Sequence, residues 1–134
     1  MVIFVDTSAF IALLNTDDRV HRTASSAWIS WINDSHKFIT SNYVVLESYS
    51  LIQRRLGLDA ARAFQEVLLP LCQVHWVTPE LHAASVIDLF AANRRQLSLV
   101  DSTSFAVMRL LGLDVAFAFD KHFAQAGFTV IPMS

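Results

Sequence analysis

Short runs of consecutive apolar residues alternate along this chain with longer segments of helical spacing. Residues 2–5 and 115–119 are apolar at every position, and an aspartate follows each run directly. Such runs are typical of parallel strands that are buried on both faces. Residues 37–40, 73–77 and 128–131 predict three further strands. The pattern therefore predicts five strands that are separated by helices.

Capping and turn residues mark the limits of the intervening helices. The predicted helices cover residues 9–14, 21–32, 42–56, 59–69, 79–92 and 101–111. Because strands joined through helices form right-handed crossovers, the sequence predicts a three-layer α/β sandwich with a mostly parallel sheet. No linker, charge block or internal repeat interrupts the pattern, so we expect a single domain over residues 1–134.

Three of these helices carry detailed predictions. Asp59 is expected to cap the fourth helix, which should end before Pro70. Trp28 and Trp31 share one stripe of the second helix, and this spacing favours a core role. The same helix is also our hypothesis for part of a groove that binds a protein partner. The inward stripe predicted for the fifth helix consists of Leu81, Ala84, Ile87 and Ala91.

The composition favours an interface, and the charge balance disfavours an extended basic surface. Hydrophobic residues make up 54% of the chain, against a usual range of about 45–50%. Lys and Arg total 10 and Asp and Glu total 12, which gives a net charge of −2. Because a protein that binds long nucleic acids through counterion release is usually basic, an anionic substrate must here be held locally, for example through a metal ion.

Cysteine and histidine usage excludes several kinds of site. Cys72 is the only cysteine, which leaves no internal disulfide and no thiolate zinc site. The five histidines show no metal-ligand spacing. The first apolar run has no basic segment before it, and no run approaches the roughly 18 residues of a membrane-spanning helix. From these features we expect a cytoplasmic protein without a membrane segment.

Four acidic residues occupy positions that the predicted fold can bring together. Asp6 and Asp120 follow the two most apolar strands, and Glu47 and Asp101 lie near the starts of two helices. Ligands of open α/β sheets bind beyond the carboxyl ends of the strands. Each acid alone is equally well explained as a helix cap or a solvated residue, so only the four together indicate a site. Clustered carboxylates repel one another, and a hard divalent cation such as Mg²⁺ or Mn²⁺ relieves that repulsion.

With these positions the chain resembles the PIN-domain ribonucleases, and within them the VapC-type toxins of toxin–antitoxin pairs. The segments that match are residues 2–8, Glu47, residues 97–106, residues 117–120 and Phe123. They occur in the family's order and span nearly the whole chain. The resemblance implies a five-stranded parallel sheet with strand order 3-2-1-4-5. One position departs from the family, which more often has Thr where this chain has Phe119.

The resemblance also implies a function and the residues that perform it. The metal-binding and catalytic acids would be Asp6, Glu47, Asp101 and Asp120. With Mg²⁺ or Mn²⁺ they would activate a water molecule that cleaves RNA phosphodiester bonds. Thr7 matches the hydroxyl residue that orients the ligands. The expected partners are an RNA substrate, an antitoxin protein and a second copy of the chain. Candidates for contact with RNA phosphates are Arg54, Arg55, Arg94 and Arg95.

Other α/β families fit the residues less well. A receiver domain needs an acidic pair after its first strand, where this chain has Asp6 and Thr7. A haloacid-dehalogenase-type phosphatase needs a second aspartate two residues after its nucleophile, and Ser8 occupies that place. The alternatives to a toxin are a PIN-fold nuclease of housekeeping RNA processing and a PIN fold that only binds. The aspartates interpreted as caps or turn residues are Asp17, Asp18, Asp34, Asp59, Asp88 and Asp114.

Overall fold

Five parallel strands form one sheet. The computed structural model describes residues 1–133. Its strands are β1 (Val2–Val5), β2 (Lys37–Ser41), β3 (Cys72–His75), β4 (Val115–Phe117) and β5 (Thr129–Ile131). Their order across the sheet is β3-β2-β1-β4-β5, and every neighbouring pair is parallel. The predicted α/β class and the strand order implied by the resemblance are confirmed.

Helices connect the strands and flank the sheet. They are α1 (Thr7–Leu14), α2 (His21–Asn33), α3 (Asn42–Leu56), α4 (Leu58–Ala63), α5 (Pro79–Ala92), α6 (Leu99–Leu111) and α7 (His122–Gln125). Hydroxyl caps begin α3 and α5, where Ser41 Oγ accepts from the Val44 amide and Thr78 Oγ1 accepts from the Leu81 amide, each at 3.1 Å. Within residues 1–133, none of the helices has the length and apolar character that crossing a bilayer requires.

The segment after α3 differs from its prediction at both ends. Helix α4 is capped by Gly57, whose φ of 92° favours glycine, while Asp59 pairs with Arg62 at 2.8 Å on the surface. A π-helical turn (Phe64–Leu68) and a 3₁₀ turn (Leu69–Leu71) then continue the helix. Pro70 fits inside the 3₁₀ turn because the first residues of a turn need no amide hydrogen. The predicted Asp59 cap and the predicted end before Pro70 are therefore wrong.

Helix α5 turns a different face to the core from the predicted one. Leu81 packs on the core as expected, but the buried residue one turn later is Ser85. The Ser85 hydroxyl donates to Leu81 O at 2.7 Å, and the backbone carbonyl of Ser85 accepts from Ser102 Oγ of α6 at 2.8 Å. Because the Ser85 side chain is small and its hydroxyl is hydrogen-bonded, α6 can approach α5 closely. This contact sets the rotation of α5 about its axis. The residues of the predicted stripe that face solvent instead are Ala84, Ile87 and Ala91.

The tryptophans of α2 belong to the core. Trp28 is 5% exposed and stacks on Phe38 with 4.2 Å between ring centroids. Trp31 is partly buried and contacts Phe117 edge-on at 4.9 Å. Truncating a buried aromatic of this kind costs about 3–5 kcal/mol of stability, so Trp28 is a structural residue. Because it is buried, Trp28 does not belong to the predicted partner-binding groove on this helix.

The sheet has a switch point between β1 and β4. The chain passes from β1 outward to β2 and β3, and β4 and β5 lie on the other side of β1. The crevice beyond the carboxyl ends of the strands at such a point is the usual ligand site of open α/β sheets. Asp6 follows β1 directly, and Asp120 lies three residues beyond the end of β4. The fold thus places both residues at this crevice.

Candidate active site

Three carboxylates meet at the carboxyl ends of β1 and β4. One side-chain oxygen from each of Asp6, Asp101 and Asp120 lies within 4.8 Å of the other two. Asp6 is buried, whereas Asp101 and Asp120 are partly exposed on the wall of an open cleft of about 610 Å³. Glu47 lines the same cleft but lies outside the group of three. All four predicted acids therefore face one cavity, and three of them are close enough to share a cation.

Ser8 connects the end of β1 with the end of β4. Its hydroxyl donates to Asp6 Oδ2 at 2.6 Å and accepts from the Phe119 amide at 3.0 Å, while the Ser8 amide donates to the same Oδ2 at 3.1 Å. Because Phe119 bonds to Ser8, β4 ends at Phe117 and not at residue 119 as the apolar run predicted. The next residue, Asp120, is thereby carried toward Asp6.

Sequence reasoning did not single out Ser8. The available signal was its position two residues after an aspartate that precedes a helix, since the N-cap of α1 is Asp6. That signal identifies a capping turn but does not show which distant amide the hydroxyl meets.

Local hydrogen bonds orient the other two acids of the group. Asp101 forms a capping box with Ser98, in which the Ser98 amide donates to Asp101 Oδ2 at 3.2 Å and the Asp101 amide donates to Ser98 Oγ at 3.1 Å. The His122 amide donates to Asp120 Oδ1 at 2.9 Å. Capping thus accounts for one oxygen of Asp101, which makes its roles as a cap and as a site residue compatible.

Burial and mutual repulsion raise the pKa values of these carboxyl groups. Desolvation is the main cause at Asp6, where the charge of Asp120 adds to it and the hydrogen bonds from Ser8 oppose it, and the pKa rises to about 8. Desolvation also raises the pKa of Glu47 and of Asp101, with smaller contributions from the neighbouring carboxylates. Within residues 1–133, no Lys or Arg forms an ion pair with any of the four acids. Clustered oxygen donors that are not ion-paired with Lys or Arg fit a hard divalent ion such as Mg²⁺ or Mn²⁺.

Thr7 lies under the cleft and connects α1 to α3. It is buried, accepts a hydrogen bond from Ser48 Oγ at 3.1 Å and donates to Val44 O at 3.4 Å. The nearby Thr7 hydroxyl also lowers the pKa of Glu47 and partly offsets the effect of burial. These contacts hold in place the helix that carries Glu47, and the orienting role predicted for Thr7 stays a prediction.

The predicted RNA-binding arginines separate into two groups. Arg55 lines the acidic cleft two turns beyond Glu47, whereas Arg54 is exposed and lies outside the cleft lining. Arg94 and Arg95 follow α5 and line smaller cavities, of which only the one without Arg95 shares residues with the cleft. Only Arg55 therefore reaches the acidic cavity itself.

Asp18 and His122 also line the cleft. The Asp18 carboxylate accepts from the Val20 amide at 3.0 Å, which confirms its interpretation as a turn residue. The positive charge of His122, when present, lowers the pKa of Asp101. His122 Nδ1 is buried without a hydrogen-bond partner among residues 1–133. Both residues thus add polar groups to the cleft beyond the four acids.

Comparison with known proteins assigns the family. The sequence profile of the PIN domain matches residues 3–129. The chain belongs to the PIN-domain family. The match covers the strands and helices that carry all four acids, so the cleft is part of the PIN domain itself. The resemblance found in the sequence is confirmed.

The PIN-domain chain is similar over nearly its full length to an endonuclease of Mycobacterium tuberculosis. The 23S rRNA-specific endonuclease VapC20 of strain H37Rv is 40% identical over 131 residues, which cover 97% of this chain and 98% of that protein. The crystal structure of M. tuberculosis VapC20, described as a sarcin–ricin loop cleaving toxin, has a TM-score of 0.85 at 41% identity and covers 95% of this chain and 96% of that one. This chain is accordingly a homologue of the VapC20 endonuclease.

More distant structures share the fold alone. VapBC2 from Rickettsia felis, bound to a DNA fragment from its promoter, has a TM-score of 0.67 at 9% identity and covers 97% of both chains. FitAcB from Neisseria gonorrhoeae has a TM-score of 0.68 at 15% identity and covers 97% of this chain and 96% of that one.

Proposed function

We propose that this single PIN-like domain is a metal-dependent endoribonuclease that acts as the toxin of a toxin–antitoxin pair. The observation that carries the proposal is the group of three carboxylates within 4.8 Å of one another, with a fourth in the same cleft. Asp6, Asp101 and Asp120 would hold Mg²⁺ or Mn²⁺. Such an ion, when bound, binds a phosphate and lowers the pKa of a water molecule.

The protein's own residues prepare the cleft for that chemistry. Ser8 holds Asp6 and Ser98 holds Asp101 through hydrogen bonds to one carboxylate oxygen each. Glu47 lines the cleft from α3, and its raised pKa suits it to accept a proton from the water that attacks the phosphodiester. The openness of the cleft to solvent allows a flexible RNA strand to enter.

The test is an Asp101→Asn variant. We expect it to lose RNA cleavage in Mg²⁺ and in Mn²⁺ while it keeps the fold, because the side-chain oxygen of Asn can still accept the capping-box hydrogen bond from the Ser98 amide. EDTA should abolish cleavage by the unmodified protein. Asp34→Asn, at an exposed position after α2, is the matched control and should cleave normally. Full activity in EDTA or in Asp101→Asn would contradict the proposal, and the comparison of the two ions determines which of them the protein uses.

The proposed substrate is the sarcin–ricin loop of 23S rRNA. The support is the 40% identity over nearly the whole chain to VapC20, a 23S rRNA-specific endonuclease. We expect one cut in a synthetic RNA of the loop sequence and none in a hairpin of the same length and base composition. Equal cleavage of both RNAs would leave the nuclease activity in place and overturn this specificity.

The proposed protein partner is an antitoxin, and the proposed place of action is the cytoplasm, where ribosomal RNA is found. A short reading frame next to the gene, encoding a protein with a DNA-binding N-terminus, should form a complex that suppresses cleavage. If no such neighbour exists, housekeeping RNA processing becomes the better assignment for the same active site.

We further propose a homodimer in which α5 contacts a second copy. Ile87 and Phe90 are 67% and 74% exposed on α5, and the hydrophobic fraction of the chain is above the usual range. Large apolar side chains that are close together on a surface favour association, because burial removes their area from water.

A further inference from the structure

A second cavity opens beside the acidic cleft, and its lining is basic and neutral. The cavity measures about 210 Å³ and is lined by Arg94, Gln96, Leu97, Lys121, His122 and Gln125. Within the described part of the chain, no carboxylate lines it. Gln96 and His122 line the acidic cleft as well, so the two cavities share a wall.

The two positively charged side chains of this cavity come from two short segments of the chain. Helix α5 ends at Asn93, which has a left-handed φ of 51°, and Arg94 follows directly. Arg94 Nη1 donates to Gln125 Oε1 of α7 at 2.9 Å, which joins the two segments. Lys121 is the residue next to Asp120 and immediately precedes α7. The loop that positions one of the site acids therefore also positions the lysine of the neighbouring cavity.

The acidic cleft carries negative charge and the neighbouring cavity carries positive charge, which suits the binding of a polyanion that spans both. A metal ion held by the acids would neutralise their charge around one phosphate, but the next phosphates of an RNA strand would still meet the negative field of the cleft and a chain of net charge −2. Arg94 and Lys121 supply positive charge beside it, and within residues 1–133 neither forms an ion pair with a carboxylate. A guanidinium binds phosphate oxygens in pairs, and the amides of glutamines add donors.

We propose that this cavity, the flanking-phosphate pocket, binds the RNA backbone phosphate next to the one that is cleaved. The inference rests on the proposed ribonuclease function and adds a binding site to it. Lys121 and Arg94 bind the phosphate charge, and Gln96 and Gln125 donate to its oxygens. Contacts of this kind fix the register of the strand and carry no base specificity.

The first experiment uses Lys121→Gln and Arg94→Gln with the sarcin–ricin loop RNA. Each variant should raise KM about tenfold with kcat within about twofold, and the slope of log affinity against log salt should fall by about 0.7 for each lost single-strand contact. Lys37→Gln and Arg22→Gln are matched controls, because both positions are exposed and neither lines a described cavity. Unchanged KM and salt slope in both pocket variants would overturn the pocket.

The second experiment changes the RNA instead of the protein. Neutral methylphosphonate linkages are placed one at a time on either side of the cleaved phosphate. The unmodified protein should lose affinity at one flanking position, and Lys121→Gln should lose nothing further there. Indifference of the unmodified protein to every flanking substitution, or fully additive losses, would contradict the proposal. If the protein cleaves no RNA at all, the proposed function fails, whereas RNA binding measured in EDTA with the same variants still decides the pocket.

Discussion

At the scale of single residues, Ser8 controls the geometry of the acidic cluster. One hydroxyl bonds to the Asp6 carboxylate and to the Phe119 amide, so it joins the ends of the two strands that supply Asp6 and Asp120. Hydrogen bonds that orient metal-binding side chains typically affect activity about 10–100-fold. Ser8 thus helps to fix the positions of Asp6 and Asp120 relative to each other.

We expect Ser8→Ala to reduce cleavage about 10–100-fold without a change in metal preference, because Asp6 and the strand end lose their common anchor. The free energy of unfolding should fall by about 1–3 kcal/mol, since the Phe119 amide loses its partner. Single-turnover cleavage and urea unfolding measure the two effects. Ser50→Ala is the control, because the Ser50 hydroxyl bonds only within α3 on an exposed surface. Normal cleavage by Ser8→Ala would show that the link is dispensable.

The pKa of Asp6 predicts how the stability of the metal-free protein depends on pH. The folded carboxyl keeps its proton up to about pH 8, whereas the unfolded chain releases it near 3.8. Between these values the folded state binds more protons, so the free energy of unfolding falls as the pH rises, by at most about 1.4 kcal/mol per unit for each such group.

Urea unfolding in EDTA at a series of pH values between about 4 and 8 measures this decline. Asp6→Asn should flatten the profile because the titrating group is removed. Mn²⁺ should oppose the decline in the unmodified protein, since metal binds the deprotonated carboxylates. An Asp6→Asn profile as steep as that of the unmodified protein would assign the decline to other groups.

At the scale of elements, one face of α5 packs in the interior and the opposite face is exposed. The face that carries Ser85 packs closely on α6, and α6 carries Asp101 at its third position. The opposite face exposes Ile87 and Phe90. The rotation of α5 set by the small serine therefore determines which of its apolar residues remain exposed.

We expect Phe90→Ser to weaken self-association at least tenfold and to leave the stability of the monomer within about 0.5 kcal/mol, because the side chain is exposed. Sedimentation velocity across a concentration series measures the association. Leu46→Ser is the matched control on another exposed apolar surface, beside Trp76. If only Leu46→Ser dissociates the dimer, the copies meet through that surface, and a monomeric unmodified protein would exclude the homodimer.

At the scale of the whole molecule, we expect the acidic cluster to link folding to metal binding. Repulsion from neighbouring carboxylates adds to the raised pKa of Asp6 in the metal-free fold, and a cation that binds only the folded state would stabilise it by mass action. Mn²⁺ at 100 times its dissociation constant should add about 2.7 kcal/mol, a rise of very roughly 5–15 °C in the unfolding midpoint.

Thermal unfolding of the unmodified protein, Asp101→Asn and the control Asp34→Asn, each in EDTA and in Mn²⁺, tests this link. Asp101→Asn removes one repelling charge, so its midpoint in EDTA should equal or exceed that of the unmodified protein while its response to Mn²⁺ is smaller. Asp34→Asn should behave like the unmodified protein. Equal shifts in all three proteins would contradict a metal site at these acids.

The sequence by itself determined the fold class and the four acids. Buried parallel strands require apolar side chains on both faces, so residues 2–5 stand out without any tertiary information. Caps such as Ser41 act within a few residues, and they are equally visible. An aspartate directly after such a strand lies at the carboxyl edge of the sheet by topology alone, which is why Asp6 and Asp120 could be assigned to one end of the molecule.

Only the tertiary structure decided how these parts meet. The hydrogen bond between Ser8 and Phe119 joins residues 111 positions apart, and no local pattern encodes it. The rotation of α5 depends on the close approach of α6 at Ser85, which outweighs the periodicity of its larger apolar residues. The pocket around Lys121 likewise arises from segments that lie far apart in the chain. Periodicity and capping are local properties, whereas distances between side chains on different elements depend on the packing of the whole core.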